Sequence, residues 1–218
     1  MSSREDIAAM RRQYGEVGLV DAHLPKNPVE LFNTWLSDAA ANEVVVEANA
    51  MVLSTVVDNQ PSSRTVLLKD LTDEGFTFFS NYESRKAKQI SENKNVSLLF
   101  PWYPLERQVI ILGMASKISS AESDKYFASR PRGSQIGAWA SMQSTELSDR
   151  VLLENKFAQL EEKWPVGTQI PRPEFWGGYV VSPTSIEFWQ GRYSRLHDRL
   201  RFTRGSASAN WVLQRLYP

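Results

Sequence analysis

Apolar positions along the chain change period several times, and the changes divide it into helical and extended stretches. Ile7, Met10 and Tyr14 recur at spacings of three and four, the period of one helical face. Ser3 and Asp6 stand before this run as a loose N-terminal cap, and Gly15 and Gly18 break it. Asn27-Pro28 is a cap followed by proline at the first helical position. Leu31, Trp35 and Leu36 then mark one face of a helix reaching about Asn42. From about residue 50 the texture is extended. Met51–Val57 is rich in β-branched residues, Asp58-Asn59-Gln60-Pro61 reads as a turn, and Arg64–Lys69 resumes the strand, so the two predict a hairpin. Gly75–Ser80 predicts a third strand, and Ser84 caps a short helix through about Asn93. Val96–Trp102 and Arg107–Ile118 predict a long antiparallel pair, with Pro101 and Pro104 confined to its turn. Helices are expected at Glu122–Arg130, Ser134–Ala140 and Ser148–Trp164. A proline-rich linker, Pro165 to Pro173, precedes three closing strands at Gly178–Trp189, Arg195–Arg204 and Trp211–Leu216.

The strands come in runs joined by short turns, with helices inserted between runs. This predicts an antiparallel β barrel or sheet decorated by helices, an α+β chain, and not a doubly wound parallel sheet. The expected organisation is one domain: a helical N-terminal segment, 1–48, followed by a β-rich body with inserted helices, 49–218. Neither GxGxxG nor GxxxxGK[ST] occurs. Any phosphate must therefore be held by side chains.

Composition narrows the chemistry. The 218 residues include no cysteine and only two histidines, His23 and His197. Disulfides, zinc ribbons, iron–sulfur clusters, thiol nucleophiles and a multi-histidine metal centre are excluded. The N-terminus is charged from Arg4 onward, and the longest apolar run, Val109–Ala115, is about a third of a membrane span. A cytoplasmic protein without a membrane partner is expected. Lys and Arg number 25 and Asp and Glu 25, so the chain lacks the basic excess of a nucleic-acid binder. Within the basic set, 16 Arg outnumber 9 Lys, a ratio suited to planar, bidentate contacts with phosphate or carboxylate.

The richest stretch is Glu187-Phe-Trp-Gln-Gly-Arg-Tyr-Ser-Arg-Leu-His-Asp-Arg199. If Arg195 begins a strand, Arg195, His197, Arg199 and Arg201 share one face, while Leu196, Leu200 and Phe202 share the other. A solvated strand face is the ordinary reading of such a strip. Three like charges in file nevertheless repel one another unless an anion is present. Arg64 and Lys69 are five apart, which places them on opposite faces of their strand. Ser84-Arg85-Lys86 puts cations at a helix start, where a bound anion relieves the conflict with the helix dipole. Tyr126 and Arg130 lie four apart on one helical face, with Ser134 opening the next helix. Arg11 and Tyr14 form a similar pair, and Gln143-Ser144 offers an amide and a hydroxyl. On these residues alone the chain is an antiparallel β protein with several arginine-centred anion sites, and no reaction is identified.

In these same residues the sequence closely resembles the pyridoxamine 5′-phosphate oxidase family, whose fold is the FMN-binding split β-barrel. The likeness runs from about Arg11 to Pro218. Its most specific part is Glu187–Arg199, where Glu-Phe-Trp-Gln is followed four residues later by Arg-Leu-His-Asp-Arg. Further blocks are Arg64–Lys69, Ser84-Arg-Lys86, Leu105-Glu-Arg-Gln108, Arg130–Trp139, Gln143-Ser144 and Phe175-Trp-Gly-Gly178. Phe79-Ser80 stands where relatives often have Tyr-Thr and keeps the hydroxyl, Gln13 replaces an acidic residue seen in some relatives, and Tyr217 is unusual beside the terminal proline.

The resemblance implies a homodimer with two active sites at the subunit interface, binding FMN tightly without a covalent link. FMN would be held by the backbone and side chains of Arg64, Thr65, Val66, Leu67, Leu68 and Lys69, by Phe79 and Ser80, by Arg85 and Lys86, and by Gln108, Gln143, Ser144, Trp189 and Arg199. Lys69, Tyr126, Arg130 and Ser134 would bind the vitamer phosphate. Arg195, Leu196 and His197 would lie over the vitamer ring, with Arg195 and His197 as the catalytic pair. Arg11, Arg12, Gln13 and Tyr14 would form a lid. The implied reaction oxidises C4′ of pyridoxamine or pyridoxine 5′-phosphate with O2 to give pyridoxal 5′-phosphate, hydrogen peroxide and, from the amine, ammonia. A split-barrel flavoprotein acting on another small molecule, or a non-catalytic pyridoxal-phosphate binder, would share much of this pattern. The intact Arg195/His197 pair and the vitamer-phosphate residues favour the oxidase.

Overall fold

Six α-helices and nine β-strands form among the described residues of the computed structural model, which are 4–10, 13–15, 18–19, 24–206 and 208–218. The order is α1 (Arg4–Ala9), α2 (Pro28–Ala41), β1 (Ala50–Val57), β2 (Gln60–Leu67), β3 (Asp70–Thr72), β4 (Gly75–Asn81), α3 (Arg85–Glu92), β5 (Asn95–Trp102), β6 (Arg107–Lys117), α4 (Ser120–Ser129), α5 (Arg132–Ala140), α6 (Arg150–Lys163), β7 (Trp176–Gln190), β8 (Asp198–Thr203) and β9 (Val212–Leu216). The strands hydrogen-bond in the order β2-β1-β5-β6-β7-β4-β3, with β8 on β7 and β9 on β8. The pairs β1–β2, β3–β4, β4–β7, β7–β8 and β8–β9 are antiparallel, as the runs of strands predicted. By its contacts the chain divides into two compact units. One comprises Met1–Asn49, Leu99–Ile111 and Thr184–Pro218, the other Ala50–Leu98 and Leu112–Pro183.

In the first unit, α2 forms where the sequence predicted it. The Asn27 side chain accepts the Val29 N–H at 3.0 Å, and Pro28 occupies the first turn. Its buried face is Leu31, Phe32, Trp35 and Ala39, spaced as one helical stripe; Leu36 is only half-buried. Phe32 meets Phe100 edge-on at 5.0 Å, and Trp35 meets Phe188 at 5.2 Å. β7 and β8 carry Phe188 and Phe202 into the same core. α1 ends at Ala9, well before Tyr14, so the expected helical face through Tyr14 does not form. Ser3, its expected cap, lies outside the described residues.

In the second unit, β1 and β2 close through Asp58 and Asn59, at φ 52° and 60°. These are the left-handed values that a two-residue hairpin turn requires, and Asn and Asp tolerate them best. β2 therefore starts at Gln60, and Pro61 sits inside it on the outer strand of the sheet, where its missing N–H removes no ladder bond. β2 also ends at Leu67, so Lys69 is not its last residue. Lys69 lies in the link to β3, with its backbone N–H bonded to Thr77 O at 2.8 Å. The expected opposite-face relation of Arg64 and Lys69 along one strand is thereby replaced. Pro101 lies within β5 and not in the following turn, which contains Pro104. α4 opens with a capping box between Ser119 and Glu122. Phe127, Ile136, Ile170 and Trp176 form a buried cluster beside it.

Candidate functional site

A cavity of about 290 Å³ in the second unit is lined by Thr65, Val66, Leu67, Lys69, Phe79, Ser80, Lys86, Tyr126, Arg130, Gln143 and Trp176. Three of its lining side chains are cationic and none is a carboxylate. The elements that build it follow from local sequence. β2 supplies the wall from Thr65 to Leu67, β4 supplies Phe79 and Ser80, and α3, capped by Ser84, supplies Lys86. α4 supplies Tyr126, and Arg130 caps its C-terminal end.

Lys86 is buried, with its ammonium 3.0 Å from Ser80 Oγ and 2.6 Å from Gln143 Oε1. Burial, reinforced by the nearby Arg64 guanidinium, pushes its pKa down from 10.5 to about 8. Arg64 donates to Leu53 O at 3.1 Å, Thr55 Oγ1 at 2.8 Å, Ser62 Oγ at 2.7 Å and Gln89 Oε1 at 3.0 Å. Burial and then Arg85 lower its pKa as well. Every one of these partners is neutral, so the positive charge of the cluster is hydrogen-bonded but not neutralised. Such a site favours an anion with several acceptor oxygens.

Arg130 and Tyr126 form the opposite group. The Arg130 guanidinium lies over the Trp176 ring at 4.5 Å, and its Nη1 is buried without a hydrogen-bond partner. Burial lowers its pKa. Tyr126 stacks on Phe79 at 3.8 Å between ring centroids, and burial raises its pKa against the opposing effect of Arg130. Lys69, exposed, completes the set. The cavity thus carries Lys86 on one side and Arg130 with Lys69 on the other; Arg64 and Arg85 do not line it and stand behind Lys86, Arg64 near enough to lower the Lys86 pKa and Arg85 that of Arg64.

The first unit holds an aromatic cluster of its own. Trp189 and His197 lie 4.6 Å apart, and Tyr14 meets Trp189 at 5.7 Å and His197 at 5.4 Å, edge-on to both. The backbone N–H of Arg192 donates to His197 Nδ1 at 3.1 Å, which leaves the ring proton on Nε2 when the imidazole is neutral. Burial first, and Arg195 second, lower the His197 pKa. The expected cationic strip does not exist. Tyr193–Arg195 is a 3-10 turn, Ser194 and Arg195 have φ of 53° and 61°, and β8 starts only at Asp198. Arg195 and His197 therefore do not alternate on a strand with Arg199 and Arg201. Arg199 is paired with Glu187 at 2.8 Å, and Arg201 donates to Gln214 at 2.9 Å.

Comparison with known proteins settles the family. Residues 37–164 match the family model described as pyridoxamine 5′-phosphate oxidase, and residues 176–218 match the pyridoxine 5′-phosphate oxidase C-terminal dimerisation region. The chain belongs to the pyridoxamine 5′-phosphate oxidase family. Pyridoxine/pyridoxamine 5′-phosphate oxidases from Crocosphaera subtropica and Shewanella frigidimarina are 53% and 50% identical to it. Each alignment covers 98% of this chain, with 100% and 99% of the respective relative. Among solved structures, PhzG from Burkholderia lata, in complex with tetrahydrophenazine-1-carboxylic acid, is 31% identical at a TM-score of 0.84, covering 94% of this chain and all of that one. A pyridoxamine 5′-phosphate oxidase-related, FMN-binding protein from Nostoc punctiforme shares the fold at 15% identity and a TM-score of 0.69, over 93% of this chain and all of that one. The split-barrel fold expected from the resemblance is the fold of these oxidase-like neighbours.

Against the residues expected from that family, the cavity brings together Thr65, Val66, Leu67, Lys69, Phe79, Ser80, Lys86, Tyr126, Arg130 and Gln143. Leu68 turns into the core and does not line it. Ser134 is exposed on the first turn of α5, and Ser144, at φ 73°, lines a separate depression beside α6. Gln108, Trp189, Arg195, Leu196, His197 and Arg199 belong to the first unit, as do Gln13 and Tyr14. Arg11 and Arg12 lie outside the described residues. The sequence did not single out Thr55 and Gln89, which hold Arg64; Trp176, which underlies Arg130, stood in the Phe175–Gly178 block without a site role. Gln89 sits one turn after Arg85 on a capped helix, a position that faces the same side, and that spacing was the available signal.

Proposed function

We propose that the chain is an FMN-dependent oxidase that converts pyridoxamine 5′-phosphate and pyridoxine 5′-phosphate to pyridoxal 5′-phosphate with O2, releasing hydrogen peroxide and, from the amine, ammonia. The observation that carries this reading is the cavity lined by Lys69, Lys86 and Arg130 without a carboxylate, in a chain about half identical to oxidases of that name. Two phosphorylated aromatic molecules, cofactor and vitamer, match its two cationic sides. Phosphate needs charge-assisted donors, and the unpartnered Nη1 of Arg130 and the buried Lys86 supply them.

Arg64, Arg85, Lys86 and Ser80 would hold the FMN phosphate, with Thr65 to Lys69, Phe79, Gln108, Gln143, Ser144, Trp189 and Arg199 completing its site. FMN, when bound, supplies the acceptor for the hydride lost from C4′ and passes the electrons to O2. Lys69, Tyr126, Arg130 and Ser134 would grip the vitamer phosphate and so fix its ring. Arg195 stays charged at any working pH and orients the reacting end. His197, disposed to neutrality, positions substrate and is not required as a base. Leu196 and the lid residues Arg11, Arg12, Gln13 and Tyr14 cover the ring and exclude water. Each active site lies at the interface between the two protomers of a homodimer. We place the activity in the cytoplasm, with neither nucleic acid nor membrane as a partner; the cysteine-free sequence has no disulfide that would need an oxidising compartment. Among the described residues no helix is long and apolar enough to cross a membrane.

The test is oxygen uptake by the purified, FMN-loaded protein. Pyridoxamine phosphate should give pyridoxal phosphate, peroxide and ammonia in equal amounts. Absence of uptake with both vitamer phosphates would overturn the reading.

A further inference from the structure

Two of the sequence blocks contain a carboxylate to which the oxidase reading gives no role: Glu106 in Leu-Glu-Arg-Gln and Asp198 in Arg-Leu-His-Asp-Arg. Both are engaged with the backbone of the N-terminal segment. Glu106 Oε2 accepts the Gly15 N–H at 2.8 Å. Asp198 Oδ2 accepts the Leu19 N–H at 3.0 Å. Asp198 is buried and also bonds two guanidinium groups, Arg215 at 2.6 Å and Arg192 at 3.3 Å. Arg215 in turn donates to Leu19 O at 2.9 Å. The attachment continues from the other side, where the Tyr193 N–H donates to Gly15 O at 3.2 Å.

The segment lies very close to these anchors. A Cβ on Gly18 would stand 2.7 Å from both Asp198 Oδ2 and Arg192 Nη1, and one on Gly191 would stand 2.9 Å from the Tyr14 ring. Glycine at both positions is what lets the two stretches approach. The approach brings Tyr14 edge-on to Trp189 and His197. Arg192, held by Asp198, is also the residue whose N–H fixes His197 Nδ1.

We propose that Glu106 and Asp198 are positioning residues for the oxidase reaction: they fasten the N-terminal backbone at Gly15 and Leu19 and thereby set Tyr14 against the Trp189/His197 pair. Neither carboxylate touches substrate. The proposal rests on the oxidase reading above, because Tyr14 matters only if a vitamer ring is bound beneath it. A backbone amide bonded to a carboxylate is a charge-assisted contact, and its loss frees the segment and not the cavity.

The experiment is a double-mutant cycle on the FMN-loaded protein, with KM, kcat and pyridoxal 5′-phosphate affinity measured for each variant. Asp198→Ala and Glu106→Ala are each expected to weaken product binding and raise KM by about tenfold, with kcat changed less. Glu106→Gln keeps an oxygen for the Gly15 amide and should recover most of the loss. In a Tyr14→Ala background Asp198→Ala should add less than about twofold, because the ring it positions is gone. Full multiplication of the two effects, or a Glu106→Gln variant as weak as Glu106→Ala, would overturn the proposal. If Asp198→Ala does not retain FMN, Gly18→Ala replaces it in the same cycle, since the added methyl displaces the same attachment. A wild-type protein that binds neither vitamer would instead overturn the oxidase reading, so the two failures are distinguishable.

Discussion

Lys86 and Gln143, 57 residues apart, meet at 2.6 Å, amine to side-chain oxygen. The contact joins the start of α3 to the loop after α5, where burial first and the Arg64 guanidinium second lower the Lys86 pKa. With its pKa at about 8, the amine is largely charged at neutral pH and loses its proton as the pH rises further. An unfolded lysine remains charged to about 10.5, so between 8 and 10.5 the unfolded chain binds more protons and Lys86 adds stability as pH rises. Phosphate binding has the opposite dependence, because it needs the ammonium. FMN affinity should fall as pH is raised from about 7 to 9.5, and Lys86→Arg, charged throughout, should flatten the profile. Fluorescence titration of the apoprotein at several pH values measures both.

Arg64→Ala or Lys86→Ala is expected to weaken FMN more than the vitamer. A hydrogen bond to a charged group is worth about 1.5–3 kcal/mol, or roughly 10–100-fold in affinity. Equal FMN affinity in wild type and both variants would assign the phosphate to other residues.

Arg130 should show a trade between stability and binding. Its buried, unpartnered Nη1 is a desolvation cost in the ligand-free protein. Arg130→Leu should therefore leave the ligand-free melting temperature unchanged or raise it, while KM for pyridoxamine phosphate rises at least about tenfold. A strongly lowered melting temperature would mean that the stacking on Trp176 outweighs the desolvation.

Arg195→Leu should lower kcat/KM severely with FMN still bound, and His197→Ala should do so more mildly. Arg195 is exposed and bears a permanent charge, whereas His197 is disposed to neutrality by burial and by Arg195. Stopped-flow reduction of bound flavin by pyridoxine phosphate isolates the step. A wild-type rate and affinity in Arg195→Leu would remove it from the reaction.

The C-terminal dimerisation region includes β9, where Val212 and Leu213 are exposed. Sedimentation of the FMN-bound protein should give roughly twice 24.8 kDa. A fully active species at the single-chain mass would exclude the dimer as the working unit.

The elements with local punctuation were legible in the sequence. Asn27-Pro28 fixed the start of α2, Ser84 that of α3, and Asp58-Asn59 the hairpin turn, each through side-chain or backbone chemistry within a few residues. The Arg195–His197 stretch was misread because alternation there continues into a genuine strand from Asp198. The strand begins only after the turn at Tyr193–Arg195, with Ser194 and Arg195 left-handed, and the Tyr193 N–H there bonds the distant Gly15 O, which no local pattern shows. Lys69 was misplaced for a related reason, as β3 has only three residues and leaves no periodicity to read. The cavity's residue types were visible, but the meeting of Lys86 with Gln143 and of Arg64 with Gln89 depends on tertiary packing.

The four internal hydrogen bonds of Arg64 have a kinetic meaning for cofactor loading. A long, flexible side chain ordinarily gives up rotamer entropy when it captures a ligand. Here Leu53, Thr55, Ser62 and Gln89 have already immobilised the guanidinium. The cation stands ready before any phosphate arrives, so this side chain adds no slow rearrangement of its own when apoprotein stripped of flavin is refilled.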